Sequence, residues 1–312
     1  MTAAALTELE RVAPSRSRPK VLANPKIIAG LVILAGFALL VVADPILDAT
    51  LWSGRSSIYD PQFGFDSRVA HPSSPSAEHW LGTSSLGRDV FSMLAYATRP
   101  TLVVALSAAL ATAVVSLLLG AVAAVRGGWL GGAVTHLSDA MVLLPALLVV
   151  YVIGIWRPGT EFGALQLGLT FGIVYGLGPA TATVRTAAEE IVVRPFMEAA
   201  RVAGGGDWWL VSRHVIPHLY AHAAVQAMIA ATGAVIADAF LGYRSAIGEY
   251  VGFGLMVYDG IVWSELMAGV APIPWWIMLA GAGGITLLAA AFYLLGVGLR
   301  EALDPRARGL LR

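Results

Sequence analysis

Six stretches of this chain contain no Asp, Glu, Lys or Arg: residues 27–43, 100–125, 140–156, 162–184, 215–237 and 266–299. An α-helix rises about 1.5 Å per residue, so about 20 apolar residues cross a hydrocarbon core of about 30 Å. Inside lipid the backbone must satisfy its own hydrogen bonds, which leaves helices or closed barrels. These runs lack the alternation of barrel strands. The reading is therefore an all-α polytopic membrane protein with six transmembrane helices. The last run is too long for one span. Pro272 and Pro274 put the start of its helix near Trp275, and Trp275 and Trp276 fall where an interfacial aromatic belt is expected.

Composition narrows the class further. Only 13% of the 312 residues are charged and 57% are hydrophobic, whereas a soluble domain carries about 25% charged residues. That excludes an ordinary soluble enzyme, a disordered chain and a nucleic-acid binder working through net basicity. The absence of cysteine excludes disulfides, thiolate catalysis and Cys-based zinc sites. A P-loop needs GxxxxGK[ST], and the only lysines, Lys20 and Lys26, do not follow a glycine. The chain is not itself a P-loop ATPase.

Charge distribution gives orientation. With the N-terminus inside, the cytoplasmic segments 1–26, 126–138, 185–217 and 299–312 hold Arg11, Arg16, Arg18, Lys20, Lys26, Arg126, Arg185, Arg194, Arg201, Arg213, Arg300, Arg306, Arg308 and Arg312. The outer segments hold Arg55, Arg68, Arg88, Arg99, Arg157 and Arg244. Fourteen against six favours cytoplasmic N- and C-termini. The expected order is a cytoplasmic tail 1–26, a retained first transmembrane helix 27–43, and an extracytoplasmic segment 44–99. A transmembrane core 100–298 with an inner loop 185–217 and a cytoplasmic tail 299–312 follow. The first apolar run ends at Ala43-Asp44-Pro45, which makes a poor signal-peptidase site.

The inner loop has a definite shape. Glu198-Ala199-Ala200-Arg201 forms helix readily. Gly204-Gly205-Gly206 breaks it, and Asp207 is placed to cap a second helix carrying Trp208, Trp209, Leu210, Val211 and Ile216. Pro217 suits the first turn of the next span. The prediction is helix, sharp turn, helix: a compact knob, either packed on its own membrane domain or presented to another protein.

Glu198-Ala199-Ala200, then Gly204, then His214-Val215-Ile216-Pro217 resembles the EAA loop of ABC-importer permeases, with Ile216 where Leu is usual. Leu81-Gly82-Thr83 and Leu86-Gly87-Arg88-Asp89-Val90-Phe91-Ser92 resemble the LGTDxLGRDVxSR signature of the dipeptide, oligopeptide and nickel permeases, in their C-type transmembrane subunit. Gly127-Gly128-Trp129, Asp139 followed by Pro145, and Leu295-Gly296 through Asp304-Pro305-Arg306 extend the resemblance over residues 79–306. Ser84 and Met93 stand where that signature has Asp and Arg, Thr98-Arg99-Pro100 alters a GAR-type stretch, and Tyr243 to Tyr250 replaces the usual LGVQPPxPxWG. The resemblance implies a type I ABC-importer permease that pairs with a homologous B-type permease subunit, two ATPase subunits and an extracytoplasmic solute-binding protein. It implies peptide as substrate, with nickel chelate as the alternative. ATP and Mg are then held by the ATPase subunits, and no cofactor, metal or nucleic acid by this chain. Glu198, Ala199, Ala200, Arg201, Gly204, Asp207 and Pro217 are the candidate coupling residues, and Gly82, Thr83, Gly87, Arg88 and Asp89 the outer motif.

Other residues admit two readings each. Asp139 and Asp238 lie at span edges, either as helix-end contacts or lining a translocation path, since intramembrane acids are costly. His214, His218 and His222 share a helix face and read as interfacial packing or as metal ligands. Gly168, Gly172 and Gly176 form a repeated small-xxx-small pattern that serves either internal packing or the contact with a partner permease. Residues 87–97 have the spacing of a helix lying in the membrane interface, with Arg88 and Asp89 fixing it or receiving a binding protein. The outer loop 244–274 is expected to hold short interfacial helices. A stand-alone secondary transporter predicts inverted repeats, and an intramembrane enzyme needs paired acids, a Ser–His pair or a metal trio; neither pattern stands out.

Overall fold

The computed structural model describes residues 24–155, 163–243, 251–267 and 273–303. Residues 1–23 and 304–312 of the expected tails, the divergent stretch after Tyr243 and Pro272 lie outside the described residues. Helices dominate, and among the described residues the only β feature is an isolated bridge between Thr83 and Asp89. The chain is an all-α polytopic membrane protein. Among the described residues five helices are long and apolar enough to cross a membrane, and the number is six if the bent pair Gly128–Val142 and Ala146–Gly154 is counted as one span.

Helix α1 (Pro25–Ala49) starts on an Asn24 cap with Pro25 in the first turn, and stays largely exposed, as a lipid-facing rod does. A cap of irregular chain follows, containing one short helix, α2 (Ser56–Tyr59). It ends where Asp89 accepts from the Ser92 N–H and starts α3 (Val90–Arg126), a helix of 37 residues. Residues 87–97 are thus not a separate interfacial helix: from Val90 they form the first turns of α3, and Val90, Met93 and Ala97 are buried in the core. Met93, where the outer signature has Arg, is a core side chain. Arg99 had truncated the apolar run, although the helix continues through it on an exposed side chain.

The third span is also corrected. In place of one helix over 140–156 there are α4 (Gly128–Val142) and α5 (Ala146–Ile155), bent by 82° across Leu143-Leu144-Pro145. Pro145 lacks the N–H a continuing helix needs. Next, α6 (Ala164–Tyr175) runs through a π turn at Gly176–Ala180 into α7 (Thr181–Val192). Helix α8 (Pro195–Val202) and the turn after it lead to α9 (Asp207–Leu210), a second π turn at Val211–Val215, and α10 (Ile216–Tyr243). The second loop helix and the fifth span are therefore one rod. The wider π turn at 211–215 precedes Pro217, whose ring would clash inside a regular helix.

The core gathers around α3, which packs on α10, α6 and α7. The glycine pattern serves this packing. A Cβ at Gly168 would strike Ser107 and the Val104 carbonyl, one at Gly172 the Ala108 carbonyl, and one at Gly176 would meet Val115 at 3.0 Å. These small residues seat α6 on α3 of the same chain; they are not an open face for a partner. Helix α11 (Phe253–Leu266) is likewise not simply interfacial. Its Phe253 and Met256 are fully buried, wedged between α10 and α12 (Trp275–Leu303).

Candidate functional site

Two regions sit at opposite ends of α3, the cap at its N-terminus and the α7–α10 turn at its C-terminus. The knob expected from sequence lies at the latter. Pro195 opens α8, with Arg194 in extended conformation before it. Gly204 adopts φ +88° and donates to the Arg201 carbonyl at 2.9 Å, and the Gly205 N–H donates to the Ala200 carbonyl at 3.1 Å. A side chain at Gly204 would meet nothing, so only its backbone conformation demands glycine. At Gly205 the demand is spatial, because a Cβ would lie 2.6 Å from the Trp209 ring.

Helix α8 is two-faced. Met197 and Ala200 are buried, while Glu198, Ala199 and Arg201 are exposed. The buried pair joins Ala121, Val184, Ala188, Ile191, Leu210, Val211, Val215 and Leu219 in one apolar cluster. That cluster holds α8 to the ends of α3, α7 and α10, so a push on α8 is borne by all three. Val193 and Val202 are more than four-fifths exposed, and Trp208 is also exposed, leaving an apolar rim around the polar face of α8.

Asp207 is corrected in role. Gly206 is the N-cap of α9, and Asp207 is its first helical residue. Its carboxylate faces Arg126 Nε at 3.2 Å, tying the turn to the last turn of α3. Pro217 follows the π turn near the start of α10 and is exposed. Among the described residues no group of three or more His, Asp or Glu is arranged to hold a metal. His214 packs against Trp209 with ring centroids 4.4 Å apart, and His218 stacks on Phe196 at 5.9 Å. These histidines pack the base of the knob.

The two acids differ. Asp139 is exposed in the last turn of α4, while its neighbour Ser138 is buried and donates to the Gly178 carbonyl at 2.9 Å. Asp238 is buried on α10 and accepts from Thr101 Oγ1 of α3 at 2.7 Å. Sequence reading passed over Arg185 on α7, whose Nη1 reaches Thr135 of α4 at 2.9 Å and Glu189 at 3.2 Å. With Ser138, it joins α4 to the α6–α7 rod.

At the other end, the outer motif is architectural. Gly82 and Gly87 adopt φ +73° and +82°. A Cβ on Gly82 would lie 2.9 Å from Trp276 Nε1, which donates to the Thr83 carbonyl at 3.1 Å. Trp276 therefore faces inward, unlike the exposed Trp275 expected of an aromatic belt. Ser84, where the signature has Asp, accepts from the Arg88 N–H at 3.1 Å and closes the same turn. Asp89 caps α3 and also faces His79, a residue the sequence did not single out.

The sequence matches the family described as "Binding-protein-dependent transport system inner membrane component" over residues 116–309. That span takes in the end of α3 and the whole knob. The dipeptide transport system permease protein DppC of Bacillus subtilis (strain 168) is 30% identical over 236 residues, 75% of this chain and 71% of the relative. A putative peptide transport system permease protein of Brucella suis biovar 1 is 29% identical over 278 residues, 86% of each chain. The oligopeptide transport system permease protein OppC of Mycobacterium tuberculosis (strain ATCC 25618 / H37Rv) is 25% identical over 242 residues, 76% of this chain and 79% of that one.

Proposed function

The chain belongs to the family of binding-protein-dependent transport system inner membrane components, and from that premise we propose that it is the C-type permease subunit of a peptide-importing ABC transporter. The observation that carries this reading is the two-faced helix α8. Its outer face, Glu198, Ala199 and Arg201, is free to meet a partner, and its inner face is locked into the ends of three bundle helices. Relatives named for dipeptide and oligopeptide transport support peptide as the substrate class.

In this reading the knob end faces the cytoplasm and the cap faces outside, as the excess of Arg and Lys on the knob side favours. Separate ATPase subunits bind and hydrolyse ATP with Mg. Their closure displaces α8, and the cluster around Met197 and Leu210 carries that displacement into α3, α7 and α10 as rigid-body motion. A homologous B-type permease supplies the other half of the path, and a solute-binding protein delivers peptide at the cap side.

The test is uptake. The complex purified through a tag on this chain is reconstituted in liposomes with its binding protein, and labelled dipeptide entry is followed. Uptake requiring ATP, and lost in Glu198→Lys with the complex still assembled, is the expected result. Uptake driven by an ion gradient without ATP overturns it in favour of a secondary transporter. ATP-dependent uptake of a nickel chelate but not of dipeptide replaces the substrate class alone.

A further inference from the structure

The extracytoplasmic cap contains a buried charge cluster that the transport reading leaves unused. His79, Asp66 and Asp89 are each about 1% exposed. His79 Nδ1 lies 2.8 Å from Asp89 Oδ2, and His79 Nε2 lies 3.3 Å from Asp66 Oδ2. Asp66 is held as a carboxylate by Arg68, whose Nε and Nη2 donate to it at 2.8 and 2.6 Å. Asp89 accepts from the Ser92 N–H at 2.8 Å as the cap of α3. Both ring nitrogens thus face carboxylate oxygens, and only the imidazolium has two N–H groups to give them. A neutral ring turns a lone pair toward one of the two buried carboxylates, which then keeps only its Arg68 or Ser92 donor.

What this cluster fastens is the outer end of the bundle. Asp89 starts α3. The Thr83–Asp89 bridge leads to Trp276 of α12 through the Thr83 carbonyl, and Ser85 bonds Asp259 of α11 through its hydroxyl and, at 3.3 Å, its N–H. We propose that protonated His79 is the pin of a pH-dependent clamp that holds the cap against the outer ends of α3, α11 and α12, and that loss of its proton on the cap side releases it.

The groups around the pin fix the sign. Asp66 and Asp89 face its two nitrogens, and Tyr59 packs on the ring with centroids 5.7 Å apart. Tyr59 donates to the Glu78 carbonyl at 3.0 Å, the Glu78 carboxylate meets Arg68 at 3.2 Å, and Arg55 lies beside Tyr59. His71 Nε2 meets the Asp66 carbonyl at 2.6 Å on the far side. The hydrogen bond to Asp89, foremost, raises the His79 pKa, and the hydrogen bond from Arg68 holds Asp66 well below the usual carboxylate range. A group raised on folding stabilises fully below its unfolded value, about 6.5 for imidazole, and loses that contribution as pH rises through its folded value. The clamp therefore holds in mild acid and slackens on the alkaline side.

Hydrogen exchange of amides 79–92 in the full chain in nanodiscs, corrected for intrinsic rate, reads this without any partner or substrate. In the wild type, protection is expected to fall by about tenfold per pH unit above 6.5, the slope for one proton, and to level off above the folded value. His79→Gln is expected to abolish the slope. Asp66→Asn, which keeps the ring but removes one carboxylate, is expected to bring the levelling point to lower pH. Wild-type protection flat across this window, a slope unchanged in His79→Gln, or a levelling point unmoved in Asp66→Asn overturns the clamp. None of these outcomes bears on whether the chain carries peptides.

Discussion

Asp238 illustrates how far a single residue could be read. Its position at the edge of an apolar run marked it as costly, and costly residues in membranes are functional candidates by default. Its partner, Thr101, lies 137 residues away, and nothing in either local sequence announces the pair. The same holds for His79 and Asp66, brought together by the folding of an irregular cap. Gly204 was legible because its demand is local: a positive φ after a helix. Asp207 was read as the cap because Asp favours that position, yet the chain puts Gly206 there and spends the carboxylate on Arg126. Thr101→Val and Asp238→Asn should each lower the thermal midpoint of the purified chain, and the double variant should lose less than the sum. The coupling expected for such an interhelical bond is about 0.5–2 kcal/mol. Strict additivity would mean that the contact contributes nothing to the packing of α3 on α10.

At the scale of elements, hydropathy located the spans and misjudged their ends and directions. A charged side chain inside a helix stops an apolar run without stopping the helix, as Arg99 does in α3. A bend at Leu143-Leu144-Pro145 leaves hydropathy unchanged, so 140–156 reads as one straight span and most of α4 falls in the inner segment 126–138. The two π turns fall where rods change character: 176–180 lies against α4, with Gly178 close to Met141, and 211–215 joins the knob to α10. Such turns are frequent at functional sites. The glycines of α6 offer a sharp test of packing. Gly172→Ala forces a methyl against Ala108, with the Ala111 Cβ only 2.8 Å away, and should cost about 1–3 kcal/mol. Gly36→Ala on α1 meets nothing within 4 Å and should be neutral or stabilising by up to about 1 kcal/mol. Thermal unfolding in detergent distinguishes them, and equal midpoints would contradict the packing of α6 on α3 described above.

For the whole molecule, the zero net charge conceals two dissimilar ends joined by α3. One end is a cap stitched by polar contacts to α3, α11 and α12. The other is an exposed helix fused to the bundle by an apolar cluster. Packed side chains join α8 to α3, α7 and α10, and the cap is bonded to the far end of α3 and to α11 and α12. In the function proposed for this chain, α8 is the surface on which a separate ATPase subunit acts. A photo-crosslinking amino acid at Val202, 86% exposed at the end of α8, with Phe63, 83% exposed in the cap, as the control position, tests it in intact cells. The expected result is a covalent adduct between position 202 and an ATP-binding subunit, and none from position 63. Adducts to an ATP-binding subunit from position 63, or only lipid adducts from position 202 in a transport-competent complex, would contradict it.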